Sequence, residues 1–323
     1  MAYSNAEKRL YDKTLKALGG KEALLRSIYA KAQNSIETKI AKYRQDQEAG
    51  QIISQFAIAR QEALLAEINA EIGALYDDVY NTISGGFTNI YTDTYYNHAY
   101  NVERSLNTEI ENGFNVSLNI TQTSTNAAEA ALNQEIAGHT FADRIGQDKI
   151  VMQFRIRTAV SQAILEGQTR QQLTNALKGL DDVFASNSAK AATTARTEML
   201  RAYSYGQDAS RKQAEAAGVT FKYKWDAALD GNTRPDHAKM DGTFAAIVDG
   251  EPVFTLPDGS KAAGPRMEGL SAKESINCRC RRLDLPFGIE PSQRVAKMPD
   301  GTWTTVPANT NAEEWIKKNY GTT

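Results

Sequence analysis

The chain has 323 residues, long enough to bury a core without disulfide staples and, as a prior, long enough for two domains. Its 37 Lys and Arg nearly balance its 39 Asp and Glu, and the resulting formal charge of -2 excludes a protein whose whole surface wraps nucleic acid. Two cysteines exclude a disulfide framework and point to a reducing compartment or a metal site.

No run of about 18 apolar residues is present, so no membrane span is expected. The first eight residues, Met-Ala-Tyr-Ser-Asn-Ala-Glu-Lys, carry no apolar core of a secretory signal, so the chain is expected in cytoplasm or in something assembled there. From Lys8 to Ile83 the pattern predicts helix. Leu24, Leu25, Ile28, Ala32, Ile36, Ile40 and Tyr43 recur at spacings of three and four, and Leu65, Ile68, Ile72, Leu75, Val79 and Ile83 do so more cleanly. Gly19-Gly20, Gly50 and Ser84-Gly85-Gly86 are the expected breaks. A long helix with one narrow apolar stripe needs a partner, either the other arm of a hairpin or a larger assembly.

Tyr91, Tyr95, Tyr96 and Tyr100 form a row expected to be a half-buried packing face. Val102, Leu106 and Ile110 continue the helical period towards a turn at Asn112-Gly113. Val116 to Asn126 alternates apolar residues with Ser, Asn and Thr and reads as a short strand or an extended connector, with a domain boundary near it. Helix returns from Asp143 to Leu165 through Ile145, Ile150, Phe154, Ile156, Val160 and Ile164, and Gly167 ends it. Thr169 is expected to cap a next helix containing Leu173, Leu177 and Leu180. A third, from about Ser188 to Ala217, carries Arg196-Thr197-Glu198 and ends at Gly218.

The run from Val219 to Trp225 alternates and is the clearest strand in the chain. Asp230-Gly231 makes a turn, and Pro235 is placed to start a short helix at its first position, with His237 in the first turn. Asp241-Gly242, Asp249-Gly250 and Pro257-Asp258-Gly259 punctuate short apolar runs, which predicts a small meander. Trp303 lies on a strand-like run near the end, and Asn311 precedes a short helix. The architecture is therefore expected to be α+β: long N-terminal helices followed by a compact domain of helices plus a small antiparallel β-sheet. Residues 1–130 make the helical N-terminal region, 131–288 the compact domain and 289–323 a tail that drapes on it or reaches a neighbour.

An ordered set of side chains runs through the later part of the chain: Arg196, Thr197, Glu198, Trp225, Asp230, Arg234, His237, Gly242, Pro265, Asn277, Cys278, Arg279 and Cys280. Together they resemble the head-morphogenesis, or minor capsid, family of tailed phages typified by Mu F-like proteins. The resemblance implies a virion component that sits inside the head near the portal and assists assembly and the packaging or ejection of DNA. It implies portal, capsid or scaffolding proteins as partners, and residues 1–130 as a portal-docking arm.

The chemistry of the set leaves alternatives open. His237, Cys278 and Cys280 are a thiolate and imidazole set suited to zinc, with Asp230, Asp236 or water in a fourth position. Equally, they are small buried residues beside a hydrogen-bonded histidine. A Cys278–Cys280 disulfide is disfavoured because adjacent strand positions point apart. Arg196 with Glu198, and Asp230 with Arg234, are expected to be pairs that tie a helix to a loop. Arg279, Arg281 and Arg282 make the most basic stretch, with Lys261 and Arg266 nearby, and are the candidates for nonspecific contact with double-stranded DNA. The rival function is a zinc-dependent hydrolase built on His237, Cys278 and Cys280 with Glu198 or Asp230 as base. No His-Glu-x-x-His accompanies it, so the chain is expected not to be an enzyme.

Overall fold

A computed structural model of the chain describes residues 2–50, 57–108, 117–165 and 170–321. The helices are α1 (Ala2–Glu48), α2 (Ala57–Thr108), α3 (Thr125–Leu132), α4 (Phe141–Leu165), α5 (Arg170–Ala216), α6 (Pro235–Met240), α7 (Ala272–Ser275) and α8 (Ala312–Tyr320). The strands are β1 (Phe221–Asp226), β2 (Ala246–Val248), β3 (Glu251–Thr255), β4 (Lys261–Ala262), β5 (Arg281–Pro286), β6 (Gln293–Lys297) and β7 (Trp303–Pro307). They form small antiparallel sheets in the orders β1-β5, β2-β3-β4 and β6-β7. The fold is α+β with long N-terminal helices, as the periodicity predicts. No described helix is long and apolar enough to cross a membrane.

The chain divides into two compact units. One comprises Met1–Leu18, Gly85–Gly138 and Arg196–Thr323; the other comprises Gly19–Ser84 and His139–Ala195. The long helices α1, α2 and α5 each give residues to both.

In the second unit Leu25, Ala32, Ile36, Ile40 and Tyr43 of α1 are buried, as are Leu65, Ile68, Ile72, Leu75, Val79 and Ile83 of α2. Tyr29 takes the inward position rather than Ile28, and its ring meets Tyr76 edge-on at 6.4 Å. A capping box opens α4. Thr140 Oγ1 accepts from the Asp143 amide at 3.2 Å, and Asp143 Oδ2 accepts from the Thr140 amide at 3.0 Å. The buried stripe of α4 is Ile145, Met152, Ile156 and Val160. Ile150 and Phe154, expected on that stripe, are 66% and 70% exposed, because they fall on the opposite side of the helix from it.

Several expected breaks are absent. Helix α1 runs through Gly19-Gly20 and α2 through Ser84-Gly85-Gly86, whereas Gly50 does turn the chain with a positive φ of 71°. A helical glycine costs about 1 kcal/mol relative to alanine. Burial of Ile83, Phe87, Ile90 and Tyr91 around the second pair outweighs it, since a buried large side chain is worth about 1.5–3 kcal/mol. The helix expected to start at Ser188 is continuous with the one before it. Asn187 does not cap there; its amide donates back to Val183 O at 2.8 Å while its carbonyl accepts from Tyr76 Oη at 3.3 Å. The expected Gly167 end, Thr169 cap and Asn112-Gly113 turn lie outside the described residues.

In the first unit Tyr91 and Tyr95 are buried, while Tyr96 and Tyr100 face outward. Residues 117–124 form an extended connector rather than a strand, and neighbouring side chains satisfy its backbone. Leu118 N donates to Glu103, Thr121 N to Gln213 and Thr123 N to the Tyr96 hydroxyl, at 2.8–3.1 Å. The main core gathers around Trp225, Phe254, Leu256, Met240 and Ala296. Residues 289–323 belong to this unit. Arg294 on β6 grips Asp241 with two nitrogens at 2.8 and 2.9 Å, and also reaches Asp226, Ala227 O and Thr310 O. Asn311 caps α8 by accepting from the Glu314 amide at 3.1 Å.

Helices α2 and α5 touch closely at Gly206, where a Cβ would lie 2.5 Å from Tyr91 O and 3.1 Å from Thr94 Cβ. Gly206→Ala is therefore expected to lower stability by about 1–3 kcal/mol in thermal melts followed by circular dichroism. Gly146→Ala on α4, where a Cβ meets nothing within 4 Å, should instead raise stability by up to about 1 kcal/mol. Equal effects of the two changes would remove the close helix contact as the cause.

Candidate functional site

The site starts from the Arg-Thr pair on α5. Asn277 sits in the left-handed region at φ 60°. Its backbone N–H donates to Thr197 Oγ1 at 2.9 Å, and its side-chain oxygen accepts from Arg196 Nη1 at 2.8 Å. Two successive helix residues thus hold both the main chain and the side chain of one turn residue. Arg234, which precedes Pro235, donates to Ile276 O at 2.6 Å from the other side. Glu198 is buried and takes Arg201 at 2.6 Å, and Arg201 also donates to Gln134 O at 2.9 Å.

The turn at Asn277 delivers Cys278 and Cys280 against α6. His237 Nδ1 lies 3.5 Å from Cys278 Sγ and 3.4 Å from Cys280 Sγ. The three donor atoms all lie within 4.8 Å of one another. His237 Nε2 meets Glu274 Oε2 at 2.6 Å. Trp225 packs edge-on to the imidazole at 5.6 Å, and His237, Glu274, Cys278 and Cys280 are each 1–2% exposed. Arg266, also buried, donates from Nη1 to Cys278 O at 3.0 Å and to Cys280 O, lies 3.7 Å from Cys278 Sγ, and donates from Nη2 to Ser204 Oγ at 3.0 Å.

Burial pushes the Cys278 thiol up, but hydrogen bonds from Cys280 and His237 and the charges of Arg266 and His237 take it well below its ordinary value. The hydrogen bond to Cys278 and burial push Cys280 well above its own. Burial lowers His237, while Cys278 and Glu274 outweigh it and raise the imidazole. Both thiols are free. The expected divergence of the cysteines is corrected: two positions apart on an extended segment, they share one side and face one imidazole.

Other expectations also change. Asp230 does not wait for Arg234; Arg279 holds its carboxylate with two nitrogens at 2.7 and 2.8 Å. Asp236 lies near Lys273 and Lys239, at 3.5 and 3.9 Å. Neither aspartate joins the His-Cys-Cys group. Of the basic stretch, Arg281 pairs with Asp226 at 2.5 Å, and Arg282 is buried between Asp284 at 2.6 Å and Asp208 at 3.1 Å. An exposed basic face is thus not built from Arg282. Arg279 and Arg281 line a cleft of about 750 Å³ that also includes Lys8, Lys16, Arg196 and Lys297. Sequence reasoning missed Glu274, Ser204 and the tie made by Arg266. The sequence marks only the charge of Arg266, and nothing local marks a carboxylate four residues before Cys278 as the partner of His237.

Residues 155–283 match the family described as Phage Mu protein F like protein, which bears out the resemblance drawn from the ordered side chains. The chain is 30% identical over 195 residues to Minor head protein GP7 of Bacillus phage SPP1, covering 60% of each. It is 28% identical over 163 residues to NAD(+)--arginine ADP-ribosyltransferase EFV of Enterococcus faecalis, covering 50% of this chain and 32% of that protein. A third relative, Uncharacterized protein YqbB of Bacillus subtilis, is 30% identical over 126 residues, 39% of each chain. The chain thus spans between about a third and three fifths of these curated relatives. No solved structure matches.

The paired aspartates make stability acid-sensitive. Burial raises the Asp208 carboxyl, but Arg282, Arg211 and Lys212 outweigh it and hold it below the ordinary range. Arg281 and Arg294 do the same at Asp226, and Arg279 at Asp230, again against burial. A carboxyl depressed in the fold contributes fully above the unfolded value of about 4, and the contribution is lost as pH falls through the folded value. Urea midpoints are expected to drop on acidification below about pH 4; a midpoint that rises there would contradict the pairing. Arg282→Met, which takes the buried guanidinium from between Asp208 and Asp284, should cost about 3–5 kcal/mol at neutral pH.

Proposed function

We propose that the chain is a minor head protein of a tailed phage. It sits inside the head near the portal, contacts portal and capsid or scaffolding chains, and assists assembly and the packaging or ejection of DNA. The observation that carries this reading is the overlap between the family match, residues 155–283, and the network that locks α5 to the Asn277 turn. A buried network of this kind suits a rigid building block. A zinc-dependent hydrolase would need its metal open to water and substrate. The 1–2% exposure of His237, Cys278 and Cys280 weighs against that. The ADP-ribosyltransferase activity in one relative's name belongs to a protein of which this chain covers 32%.

Contact with double-stranded DNA is part of the proposal, but on different residues from the basic stretch first singled out. Lys8, Lys16 and Lys297 line the cleft, with the Asn277-bound Arg196 and the carboxylate-paired Arg279 and Arg281 beside them. Such contact is nonspecific and weakens with salt, because it rests on phosphate charge.

The test is co-expression of the full chain with tagged portal protein and, separately, with the phage's capsid and scaffolding proteins. The chain is expected to co-purify with portal and to be found inside purified particles, protected from added protease. Particles that form at normal yield without it, together with no retention on portal, would overturn the reading.

A further inference from the structure

We propose that His237, Cys278 and Cys280 bind a zinc ion that fastens the Asn277 turn to α6. The proposal stands apart from the head-protein reading and holds or fails on its own.

Three features of the cluster point to a metal rather than to a simple thiol–imidazole contact. First, one nitrogen faces two sulfurs at nearly equal distances, 3.5 and 3.4 Å. An imidazole Nδ1 has one lone pair or one proton, enough to serve a single thiol. A cation between three donors uses all of them at once. Zinc bonds of about 2.3 Å to sulfur and about 2.0–2.1 Å to nitrogen, at tetrahedral angles, place sulfur and nitrogen about 3.6 Å apart. The two nitrogen–sulfur distances are therefore already those of a zinc site.

Second, the far nitrogen is already engaged. Glu274 Oε2 lies 2.6 Å from His237 Nε2, so the ring proton sits on Nε2 and the Nδ1 lone pair faces the sulfurs. A carboxylate behind the histidine is the usual support of a metal-bound imidazole, fixing its orientation and raising its basicity.

Third, the backbone carrying the sulfurs is held from outside the cluster. Arg266 grips Cys278 O and Cys280 O, while Thr197 and Arg196 hold Asn277. Two thiolates then match a divalent ion in charge, at side chains that are only 1–2% exposed. On binding, each thiol gives up its proton to solvent and forms a sulfur–zinc bond; no electron changes hands. The described side chains supply three donors, and a water or a main-chain oxygen completes the fourth position.

The experiment uses the full chain, purified without a metal-affinity tag from medium containing zinc. Elemental analysis is expected to give about one zinc per chain, released in step with thiol modification. Replacing zinc with cobalt should produce thiolate-to-cobalt charge-transfer absorption, a readout that needs no variant. Chelator should lower the melting temperature of the wild type and leave Cys278→Ser/Cys280→Ser unchanged. Glu274→Gln should keep the ion but weaken its affinity about 10–100-fold, since it acts through His237. If that double variant does not fold, the cobalt spectrum and Glu274→Gln still decide the matter. Folded wild type with no zinc, no cobalt–thiolate band and no response to chelator would overturn the assignment, as would copper or iron in place of zinc.

Discussion

A left-handed turn at Asn277 governs the geometry of everything around it. A non-glycine residue at φ 60° is held there only when its surroundings over-determine it, and here they do. Thr197 takes the backbone N–H and Arg196 takes the side-chain oxygen. Both lie on α5, a helix of 47 residues whose own geometry is stiff. The turn then sets where Cys278 and Cys280 go, and Arg266 fixes the carbonyls between them. Asparagine suits this position because it tolerates the left-handed region and brings an acceptor with it.

Around that turn the unit is held by charge buried in matched sets. Arg282 lies between Asp208 and Asp284, Arg281 on Asp226, and Arg294 on Asp226 and Asp241. Desolvating such groups is expensive, and the pairs offset it only when each guanidinium meets its carboxylate in good geometry. Loss of one arginine leaves its carboxylates with less compensating charge in a buried place. Each of these arginines also ties distant stretches of chain together: β5 to α5, β5 to β1, and β6 to the end of α6. The same feature makes the domain intolerant of partial repositioning, which accords with a part that is built into a larger structure.

Much of this was legible in the sequence. Periodicities of three and four located the long helices, and strict alternation located β1, because helix and strand each impose their period on the buried face. Pro235, Asn311, Gly218 and Gly242 acted as expected, since backbone constraints at proline, caps and positive-φ glycines are local. The ordered Arg-Thr-Glu, Trp, Asp, His and Asn-Cys-Arg-Cys set was readable as a resemblance, and it held.

Which groups pair was decided by tertiary structure alone. Sequence spacing suggested Asp230 with Arg234, yet Arg279, far along the chain, arrives first in space. It suggested helix breaks at paired glycines, which burial of the residues around them overrides. It showed three neighbouring arginines but not that carboxylates from α5, β1, the turn after β1 and β5 meet them. Local composition determines an element's period and its ends, because those depend on a few adjacent residues. Partners across some 40 to 80 positions depend on how the elements dock, and no local pattern encodes that.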